Sequence, residues 1–137
     1  MQRYVACLWL VPALAMALMA CSSRKTPEVD PNIVPTDYKQ EILDTLKNSL
    51  DNPTNLRDAY ISDPVLTSTG TNQRYTACVR FSARDASHHY TGSQDRIAYF
   101  YGGHLNQLVE ATKEQCGNAA YKPFPELEKL CLENKCN

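Results

Sequence analysis

The chain has 137 residues and a mass of 15.4 kDa, which suits one domain and excludes a two-domain enzyme, a large α/β barrel or a multi-span transporter. Its formal charge of −1, from 14 Lys and Arg against 15 Asp and Glu, argues against a nucleic-acid binder, because such proteins carry a basic surface. Hydrophobic residues make up 43% and charged residues 21%, so the chain as a whole is expected to fold.

The beginning of the chain has the layout of a secretory signal peptide. Arg3 is the only charged side chain among residues 1–20, and residues 5–20 form an uncharged, mostly apolar run. A basic start followed by an apolar run is typical of such a leader. The run is shorter than the ~20 residues that a membrane-spanning helix needs, and Pro12 interrupts it. We therefore expect residues 1–20 to be a signal peptide.

The leader ends in Leu18-Met19-Ala20-Cys21, which resembles the lipobox of bacterial lipoproteins. In that family the cysteine sulfur carries diacylglycerol, and the leader is cut just before it. The resemblance implies lipid attachment at Cys21, a mature chain of residues 21–137, and a stable anchor through several acyl chains. Ser22, where an aspartate would indicate inner-membrane retention in enterobacterial-type sorting, implies the outer membrane, with the domain in the periplasm or at the cell surface. The alternatives are an uncleaved anchor and cleavage without lipid.

Of the six cysteines, one lies in the leader and one in the lipobox, and the remaining four are Cys78, Cys116, Cys131 and Cys136. An even number in an exported chain indicates disulfides. We expect Cys78–Cys116, which closes a loop worth ~4 kcal/mol in the chain-entropy model, together with Cys131–Cys136. The alternative joins Cys116 to Cys131 and Cys78 to Cys136. The cysteine and histidine spacings do not fit a zinc finger, and we expect no metal and no cofactor.

Residues 21–35 comprise the lipidated cysteine and a stretch with three prolines and no apolar period. This composition predicts a flexible tether that spans ~40 Å if it adopts a polyproline conformation. The tether would hold the domain away from the bilayer. A single globular domain is expected over residues 36–137.

A helix is predicted at the start of the domain, over residues 37–50. Five apolar residues recur at the spacing of one helix face, namely Tyr38, Ile42, Leu43, Leu46 and Leu50. Thr36 is the expected N-cap, and Pro53 excludes continuation of the helix. One amphipathic helix cannot bury its own apolar face, so a partner surface is required.

The partner is expected to be an antiparallel sheet of about three strands. Residues 74–83 alternate, with the apolar Tyr75, Ala77, Val79 and Phe81 on the face expected to meet the helix, and Arg74, Thr76, Cys78, Arg80 and Ser82 on the other. Residues 96–101 and 105–109 are the second and third strands, joined at Gly102-Gly103. The fold class is therefore α+β, with one helix on a small meander.

The end of the chain returns to short helices. Thr112 and Gln115 fit a capping box that would open a helix over residues 113–119. Pro123-Phe124-Pro125 should break the chain before a second short helix over residues 126–133. We expect this tail to lie over the sheet and to be held there by the disulfides.

Two segments together resemble small exported, often lipidated proteins of alphaproteobacteria. The first runs from Leu50 to Ala59 and continues to Ile61 and Pro64; the second runs from Tyr75 to Arg84, followed by Tyr90-Thr91-Gly92 and Ala98-Tyr99-Phe100. Ser82 replaces the asparagine usual in that group, and His88-His89 replaces two glycines. The resemblance implies the α+β fold and an exported location. It implies no catalytic residue.

The histidines are the main candidates for a metal or proton site. His88 and His89 lie in a polar connection between two predicted strands, and His104 follows the Gly102-Gly103 turn. We favour exposed loop histidines, because adjacent loop residues point apart and no third ligand is fixed by spacing. No catalytic residue is assigned, since neither a G-x-S-x-G motif nor an unpaired nucleophilic cysteine is evident.

Two further sets of residues have alternative interpretations. A solvated polar face is favoured over an anion-binding groove for Arg74, Arg80 and Arg84. Packing in the core and at its edge is favoured over a binding patch for Tyr99, Phe100, Tyr101 and Tyr121.

These features predict a non-enzymatic outer-membrane lipoprotein with a structural or interaction role, whose partner is an envelope protein or the cell wall. Nucleic acid and small-molecule cofactors are not expected. The first alternative is an inhibitor of an exported hydrolase, such as a lysozyme or a protease, with the 82–96 loop inserted into the enzyme. The second alternative is a small metal-dependent envelope enzyme.

Overall fold

The computed structural model of the chain describes residues 27–130, in which a mixed arrangement of helices and an antiparallel sheet is present. The elements in chain order are α1 (Tyr38–Ser49), β1 (Arg57–Ser62), β2 (Val65–Thr69), β3 (Asn72–Arg84), β4 (Tyr90–Tyr101), β5 (His104–Glu110), α2 (Lys113–Cys116), β6 (Tyr121–Pro123) and α3 (Pro125–Glu128). The sheet order is β5-β4-β3-β1-β6, and β2 pairs with β3 beside β1. The predicted combination of helix and antiparallel sheet is confirmed. The predicted meander of about three strands is wrong, because these residues form six.

Two of the additional strands run along the same edge of β3. β1 pairs with the second half of β3, with Ile61 opposite Val79, and β2 pairs with the first half, with Val65 opposite Thr76. Pro64 separates them, and the β1 register shifts between Arg57 and Tyr60. Each strand is therefore too short and irregular to give the alternation that identified β3.

The third additional strand, β6, lies where the proline-rich tail was expected to break the chain. Pro123 lies opposite Tyr60, and Tyr121 lies opposite Ser62. Proline is acceptable there because β6 is at the edge of the sheet, where one side of the strand needs no hydrogen-bonded neighbour.

The main core lies between α1 and one face of the sheet. Ile42 and Leu46 of α1 are fully buried against Val79, Phe81 and Phe100. The predicted orientation of β3 is therefore confirmed, with its apolar face toward the helix. α1 spans Tyr38–Ser49, against a predicted 37–50, and its N-cap is Asp37 without a side-chain capping bond. The predicted N-cap, Thr36, is therefore wrong. Thr36 could cap only a helix that begins at residue 37, whereas α1 begins at Tyr38.

The short C-terminal helices differ in length from their predictions. The capping box at α2 is confirmed: the Thr112 amide donates to Gln115 Oε1 at 2.8 Å, and the Gln115 amide donates to Thr112 Oγ1 at 3.4 Å. The helix ends at Cys116 rather than at 119. The chain must turn there to bring Tyr121 to the edge of β1. α3 occupies Pro125–Glu128, and residues 131–133 of its predicted range lie outside the described residues.

The N-terminal segment of residues 27–35 lies against the turn between β4 and β5. The Gly102 amide donates to the Pro31 carbonyl at 3.2 Å. A Cβ at Gly102 would lie 2.7 Å from Val29 Cγ1, and one at Gly103 would lie 3.0 Å from Ile33 Cγ2. The glycines, which have φ of +58° and +85°, provide both the tight turn and the room for this contact.

This part of the predicted tether is therefore packed onto the domain. The predicted signal peptide, the predicted lipid attachment at Cys21, the remainder of the predicted tether and the predicted Cys131–Cys136 pair lie outside the described residues. Within residues 27–130, no helix combines the length and apolar character needed to cross a membrane.

Candidate functional site

The sheet face opposite α1 carries a disulfide. Cys78 on β3 is bonded to Cys116 at the end of α2, which confirms the predicted pairing and contradicts the alternative that joins these cysteines to Cys131 and Cys136. The two cysteines and Ile97 form a second, small buried cluster, with Tyr99 packed against it. The bridge therefore fixes α2 against this face of the sheet, where the cluster forms a small apolar area.

A groove lies between this face and the segment that follows α2, which we call the disulfide-face groove. Its volume is about 610 Å³, within the range of roughly 300–1,000 Å³ common to ligand-binding pockets. Its apolar lining includes Val65, Cys78 and Ile97, and its polar lining includes Thr67, Thr76, Tyr99, Gln115 and Asn118. Asp63 and Glu114 also line the groove, so it suits groups that combine apolar contacts with hydrogen-bond donors rather than acidic groups.

Hydrogen bonds hold the polar lining in place. The Thr67 and Thr76 hydroxyls lie 2.8 Å apart, and the Gln115 side-chain amide donates to the Tyr99 hydroxyl at 2.9 Å. The Ser62 hydroxyl accepts from the Cys78 amide at 2.8 Å. These contacts join β2 to β3 and α2 to β4, so the two sides of the groove are fixed before any ligand binds.

The outer edge of β2 borders the groove. In the part of the chain that the structure describes, β2 pairs with β3 alone. Val65 is 57% exposed and Leu66 is 46% exposed, and β2 contains no charged residue. Natural edge strands are commonly protected by charges or by a covering segment. An uncharged, uncovered edge is also the structure that accepts an added peptide strand.

The arginines of β3 do not form an anion-binding groove. Arg80 makes two hydrogen bonds to Asp95, at 2.7 and 2.9 Å, and stacks 4.5 Å from the Tyr121 ring. Arg74 lies over Tyr99 at 5.8 Å, and Arg84 donates to Thr54 Oγ1 at 3.4 Å. Arg74 and Arg84 are ten residues apart on one strand, or ~33 Å. Each of these guanidinium groups thus has its own separate partner.

The three histidines lie at opposite ends of β4. His88 and His89 are in the turn before it, whereas His104 follows its end and approaches Glu41 Oε1 at 2.8 Å through Nδ1. One metal ion cannot bind all three, so the alternative of a single site made of all three histidines is excluded, and each histidine is exposed as expected. Across residues 27–130 we find no group of three or more His, Cys, Asp or Glu side chains arranged around a common metal position.

The predicted 82–96 loop is mostly strand, because β3 continues to Arg84 and β4 begins at Tyr90. Only residues 85–89 form the turn. Asp85 Oδ1 accepts from the Ser87 amide at 2.8 Å and from the His89 amide at 3.0 Å, and the Asp85 amide donates to the His89 carbonyl at 2.8 Å. His88 has a φ of +65°. The turn is therefore a defined projection at the end of a long hairpin.

The four aromatic residues for which a binding patch was the less favoured alternative are divided among three places. Phe100 is buried on the α1 side, Tyr99 and Tyr121 lie on the disulfide face, and Tyr101 is 52% exposed at the β4–β5 turn. These residues do not form one binding patch. Sequence reasoning also missed the groove itself. The sequence signal that could have revealed β2, and with it one side of the groove, is the run of strand-forming residues 65–69 before Gly70.

Comparisons with known proteins give no family for the chain: no family model, curated protein or solved structure matches it.

Proposed function

We propose that the protein is a non-enzymatic lipoprotein of the bacterial outer membrane whose domain binds an extended segment of an envelope protein. The lipobox at Leu18–Cys21 supports the anchor. The observation that carries the binding role is the disulfide-face groove, which has a volume of about 610 Å³ and lies beside the uncovered edge of β2.

The groove and the edge complement each other for a peptide. A strand added along β2 would bond to the backbone groups at its outer edge, while alternate side chains would point toward the groove. Val65 and Thr67 line the groove and β2 is uncharged, while Asp63 and Glu114 on the same lining disfavour acidic side chains in the peptide. The amides of Gln115 and Asn118 would add hydrogen bonds on the opposite side.

Site-specific photocrosslinking in intact cells tests this binding role. A benzophenone amino acid replaces Val65 on β2 or, as the matched control, Val109 on β5; both are exposed valines of strands, 57% and 44% exposed respectively. We expect a discrete crosslinked product at Val65 but not at Val109, with the crosslinked peptide identified by mass spectrometry.

A second variant tests whether the groove holds the peptide. Ala120→Trp places a large side chain on the groove lining and should abolish the Val65 crosslink. Ala86→Trp, in the exposed turn at residues 85–89, should leave it unchanged. Equal crosslinking at Val65 and Val109, or a Val65 product that persists with Ala120→Trp, would contradict the proposal.

The anchor has its own test, the intact mass of the protein extracted from membranes. The proposal requires the mass of residues 21–137 plus a diacylglycerol and an amide-linked acyl chain. A mass without lipid would overturn the membrane part of the proposal and leave the groove result standing.

The defined turn at residues 85–89 favours inhibition of an exported hydrolase as a second candidate function. Inhibitors often insert a pre-organised loop, since little conformational entropy is then lost on binding. This function predicts tight inhibition of a lysozyme or protease that is lost when residues 85–89 are replaced by a Gly-Ser turn. It also predicts that Ala120→Trp inhibits as well as the parent protein. Inhibition unaffected by replacement of the turn would contradict it.

A further inference from the structure

An exposed apolar patch surrounds the point at which the chain leads toward its anchor. Val29, Ile33, Val34 and Tyr101 are 51%, 47%, 55% and 52% exposed. The segment that contains the first three contacts the β4–β5 turn, next to Tyr101. The segment is therefore held against the domain, while about half of the surface of each of these four side chains faces outward. We call these four residues the N-terminal apolar patch.

The patch occupies one end of the molecule. Pro31, Asn32 and Tyr101 line a cleft together with residues 71–74, which adjoin the β2–β3 turn. Both turns and the N-terminal segment thus lie at the same end of the sheet. The turn at residues 85–89 lies at the other end of β3, a strand of 13 residues, or ~40 Å away.

The length of chain before the patch limits its distance from the anchor. Eight residue steps separate Cys21 from Val29, which span at most ~30 Å even when fully extended. The lipid on Cys21 therefore brings the patch within reach of the bilayer surface. The packed end of the predicted tether leaves less chain between domain and membrane than a free segment of residues 22–35 would.

From this placement we infer that the N-terminal apolar patch rests on the lipid surface, with Val29, Ile33, Val34 and Tyr101 in the interfacial region of the bilayer. The inference rests on the lipid anchor of the proposed function. Exposed aliphatic side chains and a tyrosine at the edge of a patch suit an interface that is apolar on one side and wet on the other.

Charge does not provide the attraction. Arg24 and Lys25 precede the patch and Arg74 lines the adjoining cleft, while Glu28 and Asp30 lie beside the patch, so the net charge nearby is only about +1. Contact should therefore occur on neutral vesicles as well as on anionic vesicles, and it should depend little on salt. In this orientation the residue 85–89 turn points away from the membrane, at the end of the β3–β4 hairpin.

Tryptophan fluorescence of the lipidated protein tests the contact. The chain contains one tryptophan, Trp9, which is removed with the leader, so Tyr101→Trp gives the mature protein a single reporter. The protein is reconstituted in phosphatidylcholine vesicles, with and without lipids brominated on their acyl chains. We expect a shift of the emission to shorter wavelength and quenching by the brominated lipid. Ala86→Trp, at the opposite end of the molecule, should show neither.

A matched pair of aspartate variants separates docking from proximity. In the Tyr101→Trp background, Val34→Asp should remove most of the quenching, whereas Val109→Asp, on β5, should retain it. Both change an exposed valine.

Absence of quenching at Tyr101→Trp in a protein whose mass includes the lipid would overturn this inference and leave the proposed anchor intact. Quenching that Val34→Asp leaves unchanged would likewise overturn the assigned surface. A mass without lipid would instead show that the proposed anchor itself is wrong.

Discussion

Arg80 and Asp95 face each other across the β3–β4 pairing and form a two-point ion pair, with Arg80 Nε 2.7 Å from Asp95 Oδ1 and Nη2 2.9 Å from Oδ2. Tyr121 on β6 joins them: its hydroxyl donates to Asp95 Oδ1 at 3.0 Å, and its ring lies 4.5 Å from the Arg80 guanidinium. The three residues connect the edge strand β6 to the centre of the sheet, on the face that holds the disulfide-face groove.

Asp95→Asn should reduce stability at neutral pH by about 1 kcal/mol, less than for a buried charged hydrogen bond because the Arg80 side chain is 39% exposed. The hydrogen bond from Arg80 lowers the pKa of Asp95. The folded chain therefore binds this proton less tightly than the unfolded chain. The contribution is present above the unfolded pKa of ~4 and is lost as the pH falls through the lower folded pKa.

Urea unfolding of the parent and of Asp95→Asn, near neutral pH and again in strong acid, measures this difference. The difference in unfolding free energy between the two proteins should be about 1 kcal/mol near neutral pH and should shrink in acid. Asp63→Asn is the control, because its ion pair with Lys122 is exposed to water and should contribute less. A gap that stays constant in acid would contradict the assignment to the Asp95 carboxylate.

Tyr121→Phe should remove a phenol of unusually high pKa from the alkaline titration. Burial and the neighbouring Asp95 raise the pKa of Tyr121 to about 12. Because this pKa is higher in the folded chain, the associated stability is complete below the unfolded value of ~10 and is lost as the pH rises toward the folded value. Ultraviolet difference titration at the phenolate band should show the transition in the parent and not in Tyr121→Phe. Tyr60→Phe should leave it in place.

Replacing both Cys78 and Cys116 by serine should cost about 4 kcal/mol, since the bridge spans a sequence separation of 38 and removes a correspondingly large loop entropy from the unfolded chain. Denaturant unfolding measures the loss. The variant should also lose the Val65 crosslink, because the bridge fixes α2 at the side of the groove. Replacing Cys131 and Cys136 by serine should cost less, as their predicted loop is much shorter. Equal losses would contradict this account.

Gly102→Ala should loosen residues 29–34 from the β4–β5 turn. The new Cβ would lie 2.7 Å from Val29 Cγ1, while the backbone φ is +58°. Gly70→Ala is a matched control: its φ is +63°, and nothing lies within 4 Å of the new Cβ. Both variants bear the strain of a left-handed backbone, about 1 kcal/mol. Hydrogen exchange should accelerate at the backbone amide of residue 102 and in residues 29–34 in Gly102→Ala but not in Gly70→Ala. Equal protection in both variants would show that the contact is unimportant.

Local patterns predicted part of the fold. The alternation from Arg74 to Ser82 assigned the two faces of β3, and the Thr112–Gln115 spacing located α2. β1, β2 and β6 could not be found in this way. Their pairings depend on β3 or β1 as a neighbour, and segments of three to six residues carry too short a period.

The candidate site was less predictable than the fold. Spacing identified Cys78 and Cys116 as partners, but the groove beside them combines side chains from β2, β3, β4 and the segment after α2. The sequence alone also placed His88, His89 and His104 in possible proximity, until the length of β4 separated them.

The sequence by itself determined the features that depend on near neighbours: the alternation of β3, the α2 capping box and an even number of cysteines after residue 21. Tertiary structure alone decided the order of the strands, the groove, and the contact of residues 29–34 with Gly102 and Gly103. The physical reason is that a capping bond or an alternating face is specified within a few residues. An edge strand or a docked segment becomes stable only against surfaces built from distant parts of the chain.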